Sequence, residues 1–283
     1  MKKFIYIPFI LALIGFSLSA CDKIEPPYKE SGGNQPTDDT RKVLLEDYTG
    51  HTCVNCPTGA RLGHQIVDLY EGQVIMLGVH AGFFAEPKPA PFNNDYRTEA
   101  GTAWDNFFGI SAAGNPMGMV NRQSSQGVYN VASAKWATAV SLAAEQKAAL
   151  TLDINTTWNN DSRSLKVDIE TRMLQSLSQK LMVIACLVED SIVSAQRNND
   201  PSIGTVGTIP DYVHRHVLRG SINGSWGEEM AAAGTAGNGA TFSKSYSIVS
   251  LNSAYNADHV TVVAMVYDAE TYEVLQVEEK HIK

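Results

Sequence analysis

The stretch from Lys42 to Val79 restricts this chain more than any other part of it. Lys42-Val-Leu-Leu-Glu-Asp47 is a short, mostly apolar run that suits a buried strand. A turn at Thr49-Gly50 leads to Cys53-Val-Asn-Cys56. From Pro57 to Tyr70 the residues Leu62, Ile66, Leu69 and Tyr70 recur at three-to-four spacing, which predicts a helix. Pro57 fits its first turn, where a missing N–H leaves no helical bond unmade. Gln73-Val-Ile-Met-Leu-Gly-Val79 then runs apolar without alternation, the pattern of a strand covered on both faces. Strand, helix and strand in about 35 residues form a βαβ unit, with parallel strands and a right-handed crossover.

A dithiol at the start of a helix is a chemical device. The helix N-terminus offers unpaired N–H groups and about half a positive charge, which favours thiolate over thiol at the first cysteine. Thiolate is the attacking species in disulfide exchange. Cys53 is thus the candidate attacking sulfur and Cys56, one turn later, the resolving one, with His51 near enough in sequence to serve as a cation or proton acceptor. An inert disulfide is the rival reading, since such bonds persist outside the cytoplasm. Zinc would need two further ligands from His51, His64 or His80, yet there is no second C-x-x-C and no H-x-x-x-H partner. A c-type haem needs His after the second cysteine, where Pro57 stands. No metal or cofactor is expected.

Downstream, residues 81–95 are proline-rich and irregular, Tyr96 to Phe108 reads as a helix, Ala113 to Val120 turns at Pro116 into a strand, and Ala132 to Leu150 reads as an Ala-rich helix. From Leu150 the period becomes two: Leu152, Ile154 and Thr156, a turn at Asn159-Asn-Asp-Ser162, then Leu165, Val167 and Ile169, a hairpin signal. Further strands are expected at Leu181–Val188, Phe242–Val249, Val260–Tyr267 and Val274–Glu278, around a Gly-, Asn- and Ser-rich stretch from Arg197 to Gly239. The pattern predicts an α/β domain over 41–147 followed by an all-β, immunoglobulin-like sandwich over 148–283.

The first 20 residues carry Lys2 and Lys3, an apolar run from Phe4 to Leu18 and a small-residue end, the layout of an export signal. Leu18-Ser-Ala-Cys21 looks like a bacterial lipobox, which predicts cleavage before Cys21, acylation of that cysteine and a membrane anchor made of lipid alone. Residues 21–40, with tandem prolines, a Gly pair and few large apolar groups, read as a flexible tether reaching roughly 25 Å. The 22 basic and 30 acidic residues give −8, or −10 once Lys2 and Lys3 are removed, with no basic stripe. That balance argues against nucleic acid as a partner.

Other candidates are fewer. Cys186, inside Leu181-Met-Val-Ile-Ala-Cys-Leu-Val188, reads as a small buried side chain and a free thiol. His214 and His216, at i and i+2, read as a polar loop or as a ligand-binding pair, and Trp226 in a glycine-rich loop as a binding platform or a cap on the sandwich. There is no G-x-S-x-G, H-E-x-x-H, P-loop or Rossmann fingerprint.

Val43-Leu-Leu-Glu-Asp47-Tyr48, followed after four residues by Cys53-x-x-Cys56, resembles the active-site region of thioredoxins. The resemblance implies that Asp47, six residues before Cys53, relays a proton to or from Cys56, and that Pro116 is the cis-proline lining the peptide groove. Thr52, Val54-Asn55 and Pro57 depart from the residues usual at those places, which leaves the redox direction open. With the lipobox, Val79-His-Ala-Gly82, Asn115-Pro116, Val120-Asn-Arg122 and Tyr212-Val-His-Arg-His-Val-Leu-Arg219, nearly the whole chain is similar to the twenty-eight-kilodalton outer-membrane protein family of lipoproteins from Bacteroidetes-type bacteria. That similarity implies an outer-membrane location, a thioredoxin-like half and a β-sandwich half. Two functions follow: exchange on a protein disulfide substrate, or a surface adhesin that binds a ligand and keeps the C-x-x-C as a staple.

Overall fold

Two strands that never alternate, Val43–Thr49 (β1) and Val74–His80 (β2), are buried along nearly their whole length. They lie in parallel, with Val43 opposite Val74 and Thr49 opposite His80, and helix Cys56–Leu69 (α1) crosses between them. The structure, a computed structural model, describes residues 39–283. The expected signal peptide, Cys21 and nearly all of the tether lie outside those residues.

Helix Glu99–Phe108 (α2) starts at Thr98, whose side chain accepts from the Gly101 N–H. Strand Met117–Val120 (β3) runs antiparallel to β1, with Leu45 opposite Val120, and short strand Val131–Ala132 (β4) pairs with β3. Helix Trp136–Ala144 (α3) completes this half. Its sheet order is β2-β1-β3-β4. Alternate residues of β1 serve two faces: Val43 and Leu45 pack with Ile66, Trp136 and Val140 of the helices, while Leu44 and Tyr48 pack with Trp104 on the other side. This is the α/β half that the βαβ pattern predicts.

Strands Leu150–Asn159 (β5) and Ser164–Met173 (β6) form the expected hairpin. Strand Leu181–Glu189 (β7) follows, then strands Ile192–Asn198 (β8) and Gly207–His214 (β9), which pair only with each other. Next come Val217–Ser221 (β10), Glu228–Ala231 (β11), Thr241–Ile248 (β12), Val260–Asp268 (β13) and Val274–His281 (β14). β12, β6 and β5 make one three-stranded sheet. β10 pairs with the free edge of β2, so the main sheet continues as β14-β13-β7-β10-β2-β1-β3-β4, with β11 on β7.

β7 and β13 explain why the two halves are joined. Leu181, Val183, Ala185 and Leu187 point toward the β5–β6–β12 layer, together with Val260, Val262, Ala264 and Val266. The alternate residues Ile184, Cys186, Val188, Val263 and Met265 share a core with Leu44, Ile75, Leu77 and Trp104 of the first half. An α/β part and an antiparallel part are present, as expected, but residues 148–283 do not stand apart as a sandwich. A strand apolar on both faces needs cover on both, and the first half supplies one cover.

Differences from the expected elements are local. The helix expected over Ala132–Leu150 is a 3-10 turn at Ser133–Lys135 and then α3, because Leu150 already belongs to β5. The Gly-, Asn- and Ser-rich stretch from Arg197 to Gly239, where no strand was assigned, holds the end of β8 and all of β9, β10 and β11. Among the described residues no helix is long and apolar enough to cross a membrane.

Candidate functional site

Cys53 and Cys56 form a disulfide, with Cα atoms 5.4 Å apart, and Cys56 is the first residue of α1. The loop holding them is pinned to residues 83–85: the Thr52 N–H and hydroxyl both donate to the Phe84 carbonyl, at 3.1 and 2.8 Å. Gly50 makes this approach feasible, since a Cβ there would lie 2.3 Å from the Phe84 carbonyl carbon. The Asn115–Pro116 bond is cis. Pro116 packs onto the first turns of α1, against Gly59, where a Cβ would come within 2.6 Å of the proline Cβ.

Asp47 is buried at the C-terminal end of β1, and its Oδ1 has no hydrogen-bond partner. Burial pushes its pKa up to about 7. Asp47 and Cys56 line one cavity of about 30 Å³ with Gln196, Tyr212, His80 and His214. A cavity needs about 10–15 Å³ to take a water, so a carboxyl and a sulfur can exchange a proton through it. Asp47 thus shares a cavity with Cys56, and Pro116 packs on the helix that starts at Cys56.

The C-terminal half adds what the sequence did not announce. β7 and β10 are neighbours in the main sheet, and the chain between them rises as the β8–β9 hairpin and lies across the cysteine loop. The Arg197 N–H donates to the His51 carbonyl (2.9 Å) and the Asn199 N–H to the Val54 carbonyl (3.1 Å). Gln196 Nε2 donates to the carbonyls of Cys53 (2.9 Å) and Gly50 (3.3 Å), and Asn199 Nδ2 to Asn55 Oδ1 (2.6 Å). Asn55 holds the N-cap position of α1 but spends its side chain on the hairpin instead of on the helix. As a result Cys53 and Cys56 are each only 2% exposed. A dithiol offered openly beside a groove was expected; this one is covered.

The histidines fall into place around that cover. His51 is buried, stacks on Phe92 at 5.9 Å between centroids and has no partner for either ring nitrogen. Burial lowers its pKa, so it is neutral and the cationic role considered for it is disfavoured. His214, at the end of β9, lies 5.7 Å from His80 at the end of β2 and 5.4 Å from Tyr96. Its Nε2 is 2.9 Å from the Ser194 hydroxyl, which accepts from the Tyr96 hydroxyl. His216 lies 5.3 Å from His64 of α1, and its Nδ1 is 3.6 Å from Asp190. His214 is thus buried in a seam at the end of β9, and His216, half-buried in the bend before β10, borders the same seam. Among the described residues no group of three or more His, Cys, Asp or Glu is arranged to hold a metal ion.

Trp226 sits elsewhere. It is half-buried among Phe107, Phe108 and Tyr272, its carbonyl accepts from the Tyr267 hydroxyl at 2.7 Å, and it closes one end of the shared core. Cys186 is a free, buried thiol whose pKa burial pushes up to about 12. Gln196 escaped the sequence reading, and His80 entered it only as one of three possible zinc ligands. The signal for His80 was an ionisable residue ending an otherwise apolar strand; Gln196 carried none.

Residues 102–283 match the family model described as outer membrane protein Omp28, a span that begins after the dithiol. No curated protein matches the chain. Among solved structures, HBP35 of Porphyromonas gingivalis is similar at 15% identity, with a TM-score of 0.65 over 86% of this chain and 76% of that one. Protein AGR_C_4864 from Agrobacterium tumefaciens is similar at 10% identity and a TM-score of 0.52, over 86% and 96% of the two chains. A domain of the outer membrane lipoprotein Omp28 from Porphyromonas gingivalis is 24% identical over 48% of this chain and 89% of that one, with a TM-score of 0.33. At these identities the first two likenesses are likenesses of fold.

Proposed function

The chain belongs to the Omp28 family of outer membrane proteins, and on that premise we propose that it is a lipoprotein, held by lipid on Cys21, whose Cys53–Cys56 pair performs thiol–disulfide exchange on exported proteins. The observation that supports this reading is Asp47. A buried carboxyl with an unpaired oxygen costs stability, and a purely structural disulfide has no use for one. A dithiol that opens and closes does, because Cys56 must lose and regain a proton away from bulk water.

The exchange balances as follows. A substrate thiolate attacks Cys53 Sγ, the Cys53–Cys56 bond breaks, and Cys56 leaves as a thiolate that takes a proton from the Asp47 carboxyl. The substrate's second thiolate then attacks the substrate sulfur bound to Cys53, and Cys53 leaves. Two substrate thiols become a disulfide while the Cys53–Cys56 disulfide becomes a dithiol, a transfer of two electrons and two protons. Run in reverse, the same steps reduce a substrate disulfide, and the relative potentials set the direction. The α1 N-terminus stabilises the Cys53 thiolate, and Pro116 borders the approach to it.

The test is the Cys56→Ser variant. Exchange predicts mixed disulfides with exported proteins that accumulate on Cys53 and vanish in the Cys53→Ser/Cys56→Ser double variant. An absence of adducts, together with a Cys53 pKa near the usual 8.5 and a potential below about −300 mV, would establish a structural staple instead.

A further inference from the structure

We propose that the β8–β9 hairpin is a hinged cap that closes the disulfide to outside reagents, and that proton uptake by the histidines along its seam opens it. The cap goes beyond the exchange reading, because it concerns access to the sulfurs and holds whatever later reacts with them.

The geometry is that of a flap. The hairpin belongs to neither large sheet, and both its feet spring from adjacent strands, β7 and β10. Each foot carries a non-glycine residue in the left-handed region, Ser191 at φ 60° and His216 at φ 53°. The His216 N–H donates to Asp190 Oδ1 at 2.8 Å, which ties the feet together. Against the cysteine loop the hairpin makes hydrogen bonds and few apolar contacts: none of the residues of β8 and β9 except Ala195 counts among the buried apolar core. Water can replace such bonds at small net cost, whereas it cannot replace a packed core.

Five of the seven histidines line this seam. His214 and His216 are on the hairpin side; His51, His64 and His80 are on the body. All five are held neutral by burial, with His64 and His214 lowered to about 4 and His80 well below its ordinary value. The surrounding charges are mixed. His80 faces His214, His51, Arg219 and Asp95; His51 faces Asp95 and Lys88, with the Glu86 and Phe92 backbone beside it; His64 and His216 face each other, Arg215, Asp190 and Asp68. His214 shares its cavity with Asp47, Tyr212 and Arg215, and packs on Tyr96. The carboxylates favour charge on His51, His64 and His216, but for every one of the five the loss of water outweighs them.

For the histidines the linkage sign is fixed by this; Asp47, whose pKa is raised in the same cavity, titrates with the opposite sign and offsets part of their effect. A histidine whose affinity for a proton is low in the closed state and ordinary, near 6.5, in the open state leaves the closed state favoured above pH 6.5. Acid below that value draws the equilibrium toward opening, by about tenfold per histidine between pH 7.5 and 5.5. His80 and His214, which face each other across the seam, are the pair to test.

The experiment measures reduction of Cys53–Cys56 in the full chain by tris(2-carboxyethyl)phosphine, a reductant that needs no thiolate. Reduction is followed by maleimide labelling of the tryptic peptide from Val43 to Arg61. The rate is expected to rise at least tenfold from pH 7.5 to 5.5, and by a factor about a hundredfold smaller in His80→Gln/His214→Gln, where two tenfold contributions are gone. In the unaltered chain, hydrogen exchange at the Arg197 and Asn199 amides, corrected for the intrinsic pH effect, should lose protection over the same range while β7 keeps it. A reduction rate indifferent to pH, an unchanged slope in a folded double variant, or protection lost equally in β7 would each overturn the proposal. None of these results bears on the trapping of substrates, so the two readings fail separately.

Discussion

Two of the places where the halves of the chain meet are built on opposite principles. At the sheet, Ile184, Cys186, Val263 and Met265 interlock with Leu44, Ile75 and Leu77 in a shared apolar core. At the hairpin, histidines, a carboxyl and backbone carbonyls face each other, and several of their polar atoms have no partner. Apolar burial stabilises in proportion to the area removed from water, and unpaired polar burial subtracts from it. The first contact is therefore made to persist and the second to be undone. The difference teaches that a covered disulfide need not be a dead one, provided the cover is held by weaker bonds than the body beneath it.

The sharpest way to break that contrast is at the centre of the shared core, which does contain one ion pair. Arg122 and Glu46 are both 0% exposed, with Nη2 and Oε1 2.8 Å apart, and the guanidinium lies 4.6 Å from the Trp104 ring centre. Arg122→Ala leaves the carboxylate buried and alone. It should cost about 3–5 kcal/mol in denaturant unfolding and weaken both halves together. If only the first half unfolds, the shared core is not the unit of cooperativity.

Asp47→Asn sharpens the contrast from the other side. The folded pKa of about 7 lies above the ordinary 3.8, so the acid form contributes stability that is complete below 3.8 and lost as the pH rises through 7. The variant has no such loss. Relative to it, the unaltered protein should become less stable between pH 4 and 8 by up to about 4 kcal/mol. The histidines titrate with the opposite sign, but they are common to both proteins, so the difference between the two unfolding curves isolates Asp47. Parallel curves would place Asp47 in contact with water and remove its claim on Cys56.

A smaller change tests the persistence of the sheet contact. Ile184→Val removes one methylene from the fully buried centre of β7 and should cost about 1 kcal/mol, all of it global. Cap opening, read as the reduction rate of Cys53–Cys56, should stay the same.

What the sequence disclosed, and what it hid, follows the same division. β1, α1, β2 and the β5–β6 hairpin were legible because apolar period and turn chemistry are local. So was the cysteine pair, and Asp47 and Pro116 followed from resemblance to thioredoxins. The union of the halves was only half legible. Leu181–Val188 shows no alternation, which signals cover on both faces, but which element supplies the cover is a long-range fact. The hairpin was hidden for a further reason. Gln196, Arg197 and Asn199 act through backbone groups and amides on residues some 140 positions earlier, and such bonds leave no periodic trace. The histidines gave no sign of gathering in one seam because seam burial, unlike core burial, is not written in hydrophobicity.

Asn199→Ala is the mildest test and the most direct. The side chain bonds only Asn55, at an exposed position, so its loss should change global stability by less than about 0.5 kcal/mol. The closed cap loses a contact that the open state never has, so opening becomes easier while an exposed bond of this kind contributes little to the fold. The variant should therefore unfold at nearly the same denaturant concentration as the parent, yet reduce at Cys53–Cys56 several times faster at pH 7.5. Should the two measurements move together, the hairpin would be part of the body and the contrast between the two contacts would be lost.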